Sequence, residues 1–357
     1  MEDKSIIRIV DIAKLAGVSV GTVDRVLHNR GRVSEEKRIK IEKVLKEINY
    51  EPNMVARFLA SKKDYTFAVL IPSFIEGEYW ELVTTGIDKA VAELKNFNIG
   101  IEYFFFDQQD EFSFNNTVKA LNQREFAGVV IATIFGESVI GLSQKLEEKE
   151  IPYIYIDSDI PNQHNLAYFG ADSHMSGIIA AKLMMREIGE TGDILIGKIK
   201  YKGTSNSVQM ETREQGFKEY LNNNGFKGEI YYLEIDSEQS KDVVNELKSI
   251  LNNTNNKLGA IVFNSRIYEL VELFESIACG DKKINLIGYD SIEKNVEALK
   301  NDQVLFLISQ RSTQQGYDAI KSLSNHLLFS KIINKINFMP IDILMKENIE
   351  YYKNYKL

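Results

Sequence analysis

The sequence has few of the residues that cross-link a fold or bind metal. Its 357 residues include one cysteine, Cys279, which excludes an intramolecular disulfide and a metal site built from clustered cysteines. Since the four histidines are scattered along the chain, a structural zinc site is not expected either. No apolar run approaches the ~18–20 residues that span a bilayer, and the first residues lack the apolar segment of a secretory signal. We therefore expect a cytoplasmic protein that needs no cofactor or metal and has no membrane partner.

The composition is that of an ordinary globular protein, but the charge is divided unevenly along the chain. Hydrophobic residues make up 44% and charged residues 26%, and the length predicts two or three folding units. The net charge is −8. Residues 1–63, however, contain 14 Lys and Arg against 9 Asp and Glu, a net of +5, which leaves −13 for the remainder. This asymmetry predicts a basic N-terminal module that meets phosphate and an acidic body that stays away from it.

The first fifty residues have the pattern of three short helices. The segment RIVDIAKLAG (8–17) predicts a helix that ends at Gly17, Ser19 is a good N-cap for a second helix, and Ser34 stands at the start of a third. Two short helices joined by a turn that contains glycine form a helix-turn-helix. The apolar positions expected to face inward are Ile9, Ile12, Ala13, Ala16, Val23, Val26, Leu27, Ile39, Ile41, Val44, Leu45 and Ile48.

The segment NYEPNMVARFLASKK predicts a fourth helix that is too short to be stable by itself. Pro52 disfavours a helical conformation for the residue before it, and Asn53 can cap a helix over residues 54–60. A helix of this length is marginal in water. We therefore expect it to be ordered by DNA or by a partner chain.

Beyond residue 66, apolar runs of strand length alternate with helical stretches. Such alternation with continuous apolar strands indicates parallel sheets covered on both faces, and the number of units favours two similar lobes over one sheet. The predicted strands are 67–71, 101–106, 128–132, 153–156, 193–197, 260–263, 285–289 and 304–308. The predicted helices are 79–95, 114–123, 174–187, 209–223, 238–252, 266–277 and 312–328.

Two motifs, IVDIAKLAGVSVGTVDRVLHNRGRVS and NYEPNMVARFL, lie in the basic N-terminal module. Together they resemble the DNA-binding headpiece and hinge of the lactose-repressor (LacI) family, and the strand–helix series behind them resembles a sugar-sensing domain of the periplasmic-binding-protein type. The resemblance implies an all-α helix-turn-helix headpiece (1–50), a hinge helix and linker (51–63) and a two-lobed α/β domain with parallel sheets. The expected N-terminal lobe covers 64–160 and about 310–332, and the C-terminal lobe covers 161–309 and about 333–357.

The resemblance implies that the second helix of the headpiece contacts bases in the major groove through residues near its start. Arg25 can bind guanine O6 and N7, with roughly 1–3 kcal/mol of discrimination, and Val20 can pack against a thymine methyl group. Asp24 departs from the family, which more often has a small hydroxyl residue there. The headpiece residues expected to contact bases or phosphates are Ser19, Val20, Gly21, Thr22, Arg25, His28, Asn29 and Arg32.

The hinge residues expected at the DNA are Asn53, Ala56 and Leu59. The last two match family positions that face the minor groove, where an apolar side chain such as that of Leu59 can part a base step and kink the duplex. Two hinge helices that contact one central base step must come from two copies of the chain, so a dimer is required. The implied partners are therefore double-stranded DNA with a palindromic operator and a second copy of the chain. The tail 346–357 lacks a sustained leucine heptad, which favours a dimer over a tetramer.

An effector domain of this type holds its ligand between the lobes, at the carboxyl ends of the parallel strands. Aromatic faces stack on sugar rings, while carboxylates, amides and arginine form hydrogen bonds with vicinal hydroxyls. The residues expected at the effector are Phe74, Tyr79, Trp80, Asp157, Arg213, Asn264, Asp290 and Gln310. Ser265 stands where the family usually has aspartate, which weakens the expectation of an ordinary hexose and leaves a sugar acid, a sugar phosphate or a nucleoside open as ligands.

The predicted function is a transcriptional repressor, not an enzyme, whose operator affinity is set allosterically by a small ligand such as a sugar or sugar derivative. The sequence leaves open whether that ligand is an inducer or a corepressor. A transcriptional activator on the same scaffold is an alternative, as are a sugar-processing enzyme of α/β fold and a binding protein that feeds a transporter. The enzyme is disfavoured because no phosphate-binding glycine motif lies between a strand and a helix and no histidine has a nucleophile context. The missing signal segment disfavours the transport protein.

Overall fold

The computed structural model describes residues 9–27, 31–48, 64–200, 207–236, 241–254, 256–277 and 283–354. The chain divides into two compact units, of which the first ends at Ser61 and the second begins at Lys62. Among its described residues, the first unit contains the helices α1 (Ile9–Ala16), α2 (Val20–Leu27) and α3 (Glu35–Glu47).

The three helices of the first unit enclose a small apolar core. Ile12, Val23 and Ile41, one from each helix, are fully buried at its centre. The turn between α1 and α2 is possible because Gly17 has a φ of 64°, a left-handed conformation that glycine adopts at no steric cost. Ser19 then caps α2 as predicted, since its Oγ accepts a hydrogen bond from the Thr22 amide at 3.3 Å.

One residue of the predicted core of this unit lies outside it. Ile39 is 56% exposed, whereas Ile41 is fully buried. Two residues along an α-helix correspond to a rotation of about 200°, so these side chains point to nearly opposite sides of α3. Val44, Leu45 and Ile48 follow Ile41 at helical spacing and pack against the core, which corrects the expectation for Ile39.

The second unit contains two six-stranded sheets with the same arrangement of strands. The first sheet is entirely parallel, with the order β11-β5-β4-β3-β1-β2, and in the second, β12-β10-β9-β8-β6-β7, only β12 is antiparallel. The strands are β1 (Tyr65–Pro72), β2 (Ile99–Phe106), β3 (Gly128–Ala132), β4 (Tyr153–Ile156), β5 (Ala167–Gly170), β6 (Asp193–Lys200), β7 (Ile230–Asp236), β8 (Leu258–Val262), β9 (Ile284–Tyr289), β10 (Phe306–Ser309), β11 (Ile336–Phe338) and β12 (Asp342–Leu344).

Helices cover both sheets and complete two lobes, which confirms the predicted two-lobed α/β architecture. The first lobe has α4 (Tyr79–Glu93), α5 (Glu111–Asn122), α6 (Gly136–Glu148), α12 (Ser312–Phe329) and a short 3-10 helix (Lys95–Phe97). The second lobe has α7 (Ser173–Ile188), α8 (Val208–Asn223), α9 (Lys241–Asn253), α10 (Ile267–Ser276), α11 (Glu293–Lys300) and α13 (Ile349–Asn354). Central strands are apolar throughout because they are buried on both faces; in β3 every side chain is buried.

The lobe boundaries differ from the expected ones by a few residues. β5 pairs with β4, and β11 pairs with β5, so residues 161–170 and 333–338 belong to the first lobe and not to the second. The chain therefore crosses between the lobes at 171–172, 310–311 and 339–341. β11 was missed because it contains only three residues, too few for an apolar pattern to stand out, whereas β5 was missed although it is as long as the correctly predicted β4.

In each lobe, a pair of helices packs closely because a glycine on each helix faces the backbone of the other. Gly86 of α4 and Gly316 of α12 have this role in the first lobe, and Gly177 of α7 and Gly216 of α8 in the second. A Cβ added at Gly177 would lie only 1.9 Å from the carbonyl oxygen of Arg213. The close approach therefore fixes the position of α8 in its lobe. Within the ranges described, no helix is both long and apolar enough to cross a membrane.

Candidate functional site

A cavity of about 290 Å³ lies between the two sheets, at the carboxyl ends of their strands. Seven of the eight residues expected at the effector line it, and they come from both lobes: Tyr79, Trp80, Asp157, Arg213, Asn264, Asp290 and Gln310. Strand ends of two facing parallel sheets meet at such a crevice, which is why sequence positions so far apart converge. The volume is at the lower end of the ~300–1,000 Å³ typical of small-molecule sites, so the cavity fits a small ligand.

Phe74 is the expected residue that the structure does not bring to the cavity. β1 ends at Pro72, and the chain then turns so that the Phe74 ring packs edge-on against Phe105 of β2, with ring centroids 5.9 Å apart. This contact occupies the side chain at the edge of the sheet and corrects the expectation for Phe74. Phe135, in the loop after β3, lines the cavity with an aromatic side chain instead.

Asp157 and Asp290 occupy matching positions in the two lobes, directly after β4 and β9. Both have a left-handed backbone, with φ values of 77° and 64°, which aspartate tolerates better than most residues. Both side chains are buried, with exposed fractions of 5% and 2%. Buried carboxylates on a sparsely populated backbone conformation are more typical of a binding site than of a core.

Burial raises the pKa of both carboxyl groups, because water no longer stabilises their charge. The pKa of Asp290 rises from 3.8 to about 6, with burial as the main cause and Arg213 acting in the opposite direction. The pKa of Asp157 is also raised by burial, and Arg213 again opposes the shift. Above pH 6, Asp290 is therefore a carboxylate that can accept hydrogen bonds from a ligand.

Arg213, from α8, places a buried guanidinium beside these carboxylates. Its side chain is 1% exposed. Nη1 donates to the Phe263 carbonyl oxygen at 2.8 Å, and the guanidinium carbon lies 4.1 Å from the centroid of the Tyr289 ring. Nε is buried and has no hydrogen-bond partner among the described residues. A buried donor of this kind is suited to an oxygen atom of a ligand.

Hydrogen bonds on the floor of the cavity join the two lobes. Oδ1 of Asp157 accepts from Tyr79 Oη at 3.0 Å within the first lobe and from Gln209 Nε2 of the second lobe at 2.9 Å. Gln310, at the crossover after β10, donates from Nε2 to Asp290 Oδ1 at 3.2 Å. The polar groups that face the cavity are thus held in position by one another.

A second contact between the lobes lies beside the cavity. Nη2 of Arg266, which follows β8, donates to Oε1 of Glu78 in the first lobe at 2.7 Å. Nη1 of Arg266 lies 3.1 Å from Oε1 of Glu269. The side chains of Arg266 and Glu78 are 18% and 23% exposed, so solvent screens this ion pair only in part.

In the first unit, most of the described residues expected at DNA are exposed, and Gly21 and Arg25 lie on the side of α2 away from its buried Val23. Ser19, Val20, Gly21 and Arg25 are exposed and Thr22 is half-buried. The Oγ of Ser19 and the Oγ1 of Thr22 are 2.8 Å apart, so both hydroxyls stand at the start of the helix, where phosphate contacts are expected. Arg32 is exposed as well. His28, Asn29, Asn53, Ala56, Leu59 and the predicted hinge helix lie outside the described residues.

Comparison with known proteins assigns both units. Residues 8–53 match the model of bacterial regulatory proteins of the lacI family, and residues 67–331 match the periplasmic binding protein domain. A crystal structure from Bacteroides fragilis, described as that of a LacI transcriptional regulator, is 37% identical and has a TM-score of 0.76, with coverage of 81% of this chain and 100% of that one. The chain belongs to the LacI family.

Two further LacI-family relatives extend the likeness. The chain is 25% identical to the ribose operon repressor of Lactococcus lactis subsp. lactis over 345 residues, which are 96% of this chain and 97% of that protein. It is 38% identical to catabolite control protein A of Streptococcus mutans over 120 residues, 34% of this chain and 35% of the relative. The protein is thus a DNA-binding transcriptional regulator with a ligand-binding domain of the periplasmic-binding-protein type, as the sequence motifs predicted.

Several residues that line the cavity of this LacI-family chain were not expected from sequence. Gln108, Gln109, Ile134 and Phe135 follow β2 and β3, so the position of strand ends could have found them. Gln209 begins a helix and carries no such signal. The remaining ones are Glu78, Glu111, Ile199, Ser207, Met210, Ser265, Arg266, Tyr268 and Ile292. Within the described part of the chain, no three His, Cys, Asp or Glu side chains are grouped so as to hold a metal ion.

Proposed function

We propose that this LacI-family regulator is a repressor that binds a palindromic operator as a homodimer in the cytoplasm. Its affinity for the operator rises or falls when a small polyhydroxylated ligand enters the cavity. The observation that carries the proposal is the convergence of two buried carboxylates, a buried guanidinium and two glutamine amides on one cavity between the lobes. The name of the full-length relative, a ribose operon repressor, supports both repression and a sugar-like ligand.

The side chains of the cavity match the hydrogen-bonding capacity of vicinal hydroxyl groups. A hydroxyl donates one hydrogen bond and accepts others, so it can bridge a carboxylate and a guanidinium at the same time. Asp290 supplies the acceptor and Arg213 the donor, whose Nε lacks a partner among the described residues. Trp80 and Phe135 add flat apolar surfaces for the C–H face of a sugar ring. The ligand therefore satisfies polar groups that the fold leaves incompletely paired.

The ligand can act on DNA binding because its site is built from both lobes. Gln209 contacts Asp157, and Arg266 contacts Glu78, so the arrangement of the lobes depends on groups that a ligand would also bind. A ligand shifts such an arrangement only by the difference between its affinities for the two states. The linker 51–63, which connects the lobes to the headpiece, lies outside the described residues.

On the DNA side, we assign base recognition to Arg25 and phosphate contacts to Ser19 and Thr22. The support is their place at and near the start of α2, with Arg25 on the side away from the packed core. Val20, which is 45% exposed, adds an apolar contact for a thymine methyl group. We further infer that the cavity binds its ligand without converting it, in keeping with relatives that are regulators.

The test uses the purified full chain in two steps. Thermal-shift screening against sugars, sugar derivatives and nucleosides identifies a ligand, which is then titrated into the protein bound to operator fragments selected from genomic DNA. We expect one class of ligand to raise the melting temperature and to change operator affinity. Recovery of a converted product, or binding to all duplexes with equal affinity, would overturn the proposal. The sign of the change distinguishes an inducer from a corepressor.

A further inference from the structure

An ion pair joins the two lobes where the chain crosses between them. Arg311 lies directly before α12 of the first lobe, and Asp342 begins β12 of the second lobe. Nε of Arg311 donates to Oδ2 of Asp342 at 2.7 Å, and Nη2 donates to Oδ1 at 3.1 Å. Two parallel hydrogen bonds of this kind fix a direction as well as a distance. The start of α12 is therefore held on the edge strand of the other lobe.

The same ion pair ties two crossovers together, those at 310–311 and 339–341. The crossover at 171–172 is joined to the last of these, because the Met339 amide donates to the Gly170 carbonyl oxygen at 2.8 Å. The strands next to the crossovers, β5 and β11 in the first sheet and β10 and β12 in the second, lie at one edge of each sheet. The crossovers thus form one connected unit. When two lobes rotate against each other, such connecting segments absorb the change in backbone dihedral angles.

The backbone at Arg311 indicates that this residue is held by its surroundings. Its φ of 52° lies in the left-handed region, which is uncommon for arginine. Such conformations persist where the surrounding structure fixes them, and they are concentrated at sites that bind or switch. The side chains of Arg311 and Asp342 are 29% and 23% exposed, so water screens their attraction only in part.

The pair acts on the cavity through Gln310, the residue directly before Arg311. The Gln310 side chain is 3% exposed and lines the cavity, whereas Arg311 and Asp342 do not line it. Its Nε2 donates to Asp290 Oδ1 at 3.2 Å, and its Oε1 accepts from Gln209 Nε2 at 3.4 Å. Because Gln310 and Arg311 are neighbours in the chain, a shift of Arg311 moves the backbone that carries this side chain.

The ion pair between Arg266 and Glu78 joins the lobes at a different place. Glu78 follows β1 and Arg266 follows β8, two strands that lie inside their sheets, away from the edge with the crossovers. Both side chains line the cavity. When the lobes turn about the crossovers, a contact next to the crossovers moves little and a more distant one moves more. The ion pair at the crossovers can therefore persist while the one between Arg266 and Glu78 breaks.

We propose that Arg311 and Asp342 are positioning residues of the effector domain: they hold the lobes together at the crossovers, keep Gln310 in the cavity and define the axis about which the lobes turn. The inference rests on the proposed function, since it assigns the residues that maintain the arrangement on which a ligand acts. Loss of the ion pair lets the lobes part more often, which opens the cavity without changing any residue that lines it.

The first measurement is acrylamide quenching of Trp80 fluorescence in the full chain, without ligand or DNA. Trp80 is the single tryptophan, is 5% exposed and lines the cavity, so the quenching constant rises when the lobes part. Asp342→Asn removes the charge but keeps the shape, and Arg311→Gln removes the guanidinium group. Each should raise the quenching constant by about twofold or more.

Two further variants calibrate this measurement. Arg311→Lys keeps the charge without the two parallel hydrogen bonds, so its increase should be smaller than that of Arg311→Gln. Arg124→Gln is the matched control, because the ion pair of Arg124 with Glu102 lies within the first lobe, and it should quench like the wild type. Wild-type quenching in both Asp342→Asn and Arg311→Gln, or an equal increase in Arg124→Gln, would overturn the proposal.

Hydrogen exchange followed by mass spectrometry separates this role from local support. In Asp342→Asn, exchange should rise severalfold around Glu78 and Arg266, which lie away from the crossovers. A rise confined to residues 306–315 and 339–345 would show that the pair supports only its own surroundings, and the proposal would be wrong. Since neither measurement involves a ligand or an operator, a negative result leaves the proposed function standing.

Discussion

Replacing Asp290 by asparagine should stabilise the effector domain in the absence of ligand and at the same time abolish its response to ligand. The side chain is 2% exposed, and burial raises its pKa from 3.8 to about 6. A shift of one pKa unit corresponds to about 1.4 kcal/mol, so ionising Asp290 lowers the free energy of unfolding by about 3 kcal/mol. Asparagine keeps the shape and one acceptor oxygen but has no charge to desolvate.

The sign of the pH dependence follows from the raised pKa. Below pH 3.8 the carboxyl group is protonated in the folded and the unfolded state, and the wild type has no penalty. As the pH rises from 3.8 to 6, the folded state holds its proton more tightly than the unfolded chain, so the free energy of unfolding falls. Relative to the wild type, Asp290→Asn should therefore gain about 3 kcal/mol in total from well below pH 3.8 to pH 7.5, of which about 2 kcal/mol is gained between pH 4.5 and pH 7.5.

The assay is urea unfolding of the full chain at several pH values between 4.5 and 7.5. Trp80, the single tryptophan, lines the cavity and gives a fluorescence signal from the effector domain. Asp242→Asn is the control, because Asp242 is an exposed aspartate on α9. A difference between variant and wild type that stays constant with pH, or that grows equally in the control, would refute the assignment of a buried titrating carboxyl group to Asp290.

Three further variants test other parts of the account. Gly177→Ala adds a Cβ 1.9 Å from a backbone oxygen and should destabilise the protein by at least ~1–3 kcal/mol in thermal unfolding, whereas Gly141→Ala on α6 meets no atom within 4 Å and should be neutral or slightly stabilising. Arg25→Ala should remove the preference for operator over random duplex in fluorescence anisotropy but leave salt-sensitive binding, and an intact preference would count against the groove assignment. Arg266→Gln breaks the ion pair between the lobes and should change the rate at which the ligand dissociates, measured by stopped-flow fluorescence. Arg124→Gln removes an exposed ion pair within the first lobe and should leave this rate unchanged. The same dissociation rate in both variants would contradict the role of the contact between Arg266 and Glu78.

The long elements of the fold could be predicted from sequence because their apolar pattern extends over many residues. The helix predicted at 174–187 is observed at Ser173–Ile188, and the one predicted at 312–328 at Ser312–Phe329. Short edge elements such as β11, with three residues, carry no comparable pattern. α6 was missed for another reason: glycines at its first and sixth positions weaken the helical signal.

The site could be predicted in part, because some of its residues follow strands and others come from the first turn of a helix or from the loop before one. Asp157 and Asp290 follow apolar strands, and the carboxyl ends of parallel strands always reach the same edge of a sheet. Gln209 and Arg266 reach the cavity from the first turn of a helix or the loop before one, where direction depends on how the helix is docked. Phe74 shows the converse, since it follows a strand but is drawn away by the Phe105 ring.

The central claim is that a ligand in the cavity controls the affinity for DNA. It is tested most directly by measuring the dissociation constant of the full chain for its operator, without ligand and with a calorimetrically saturating concentration of the polyol found by screening. The account predicts a change of at least about fivefold, the lower end of typical allosteric coupling, in the wild type and none in Asp290→Asn. Identical operator affinities with and without bound ligand in the wild type would contradict it.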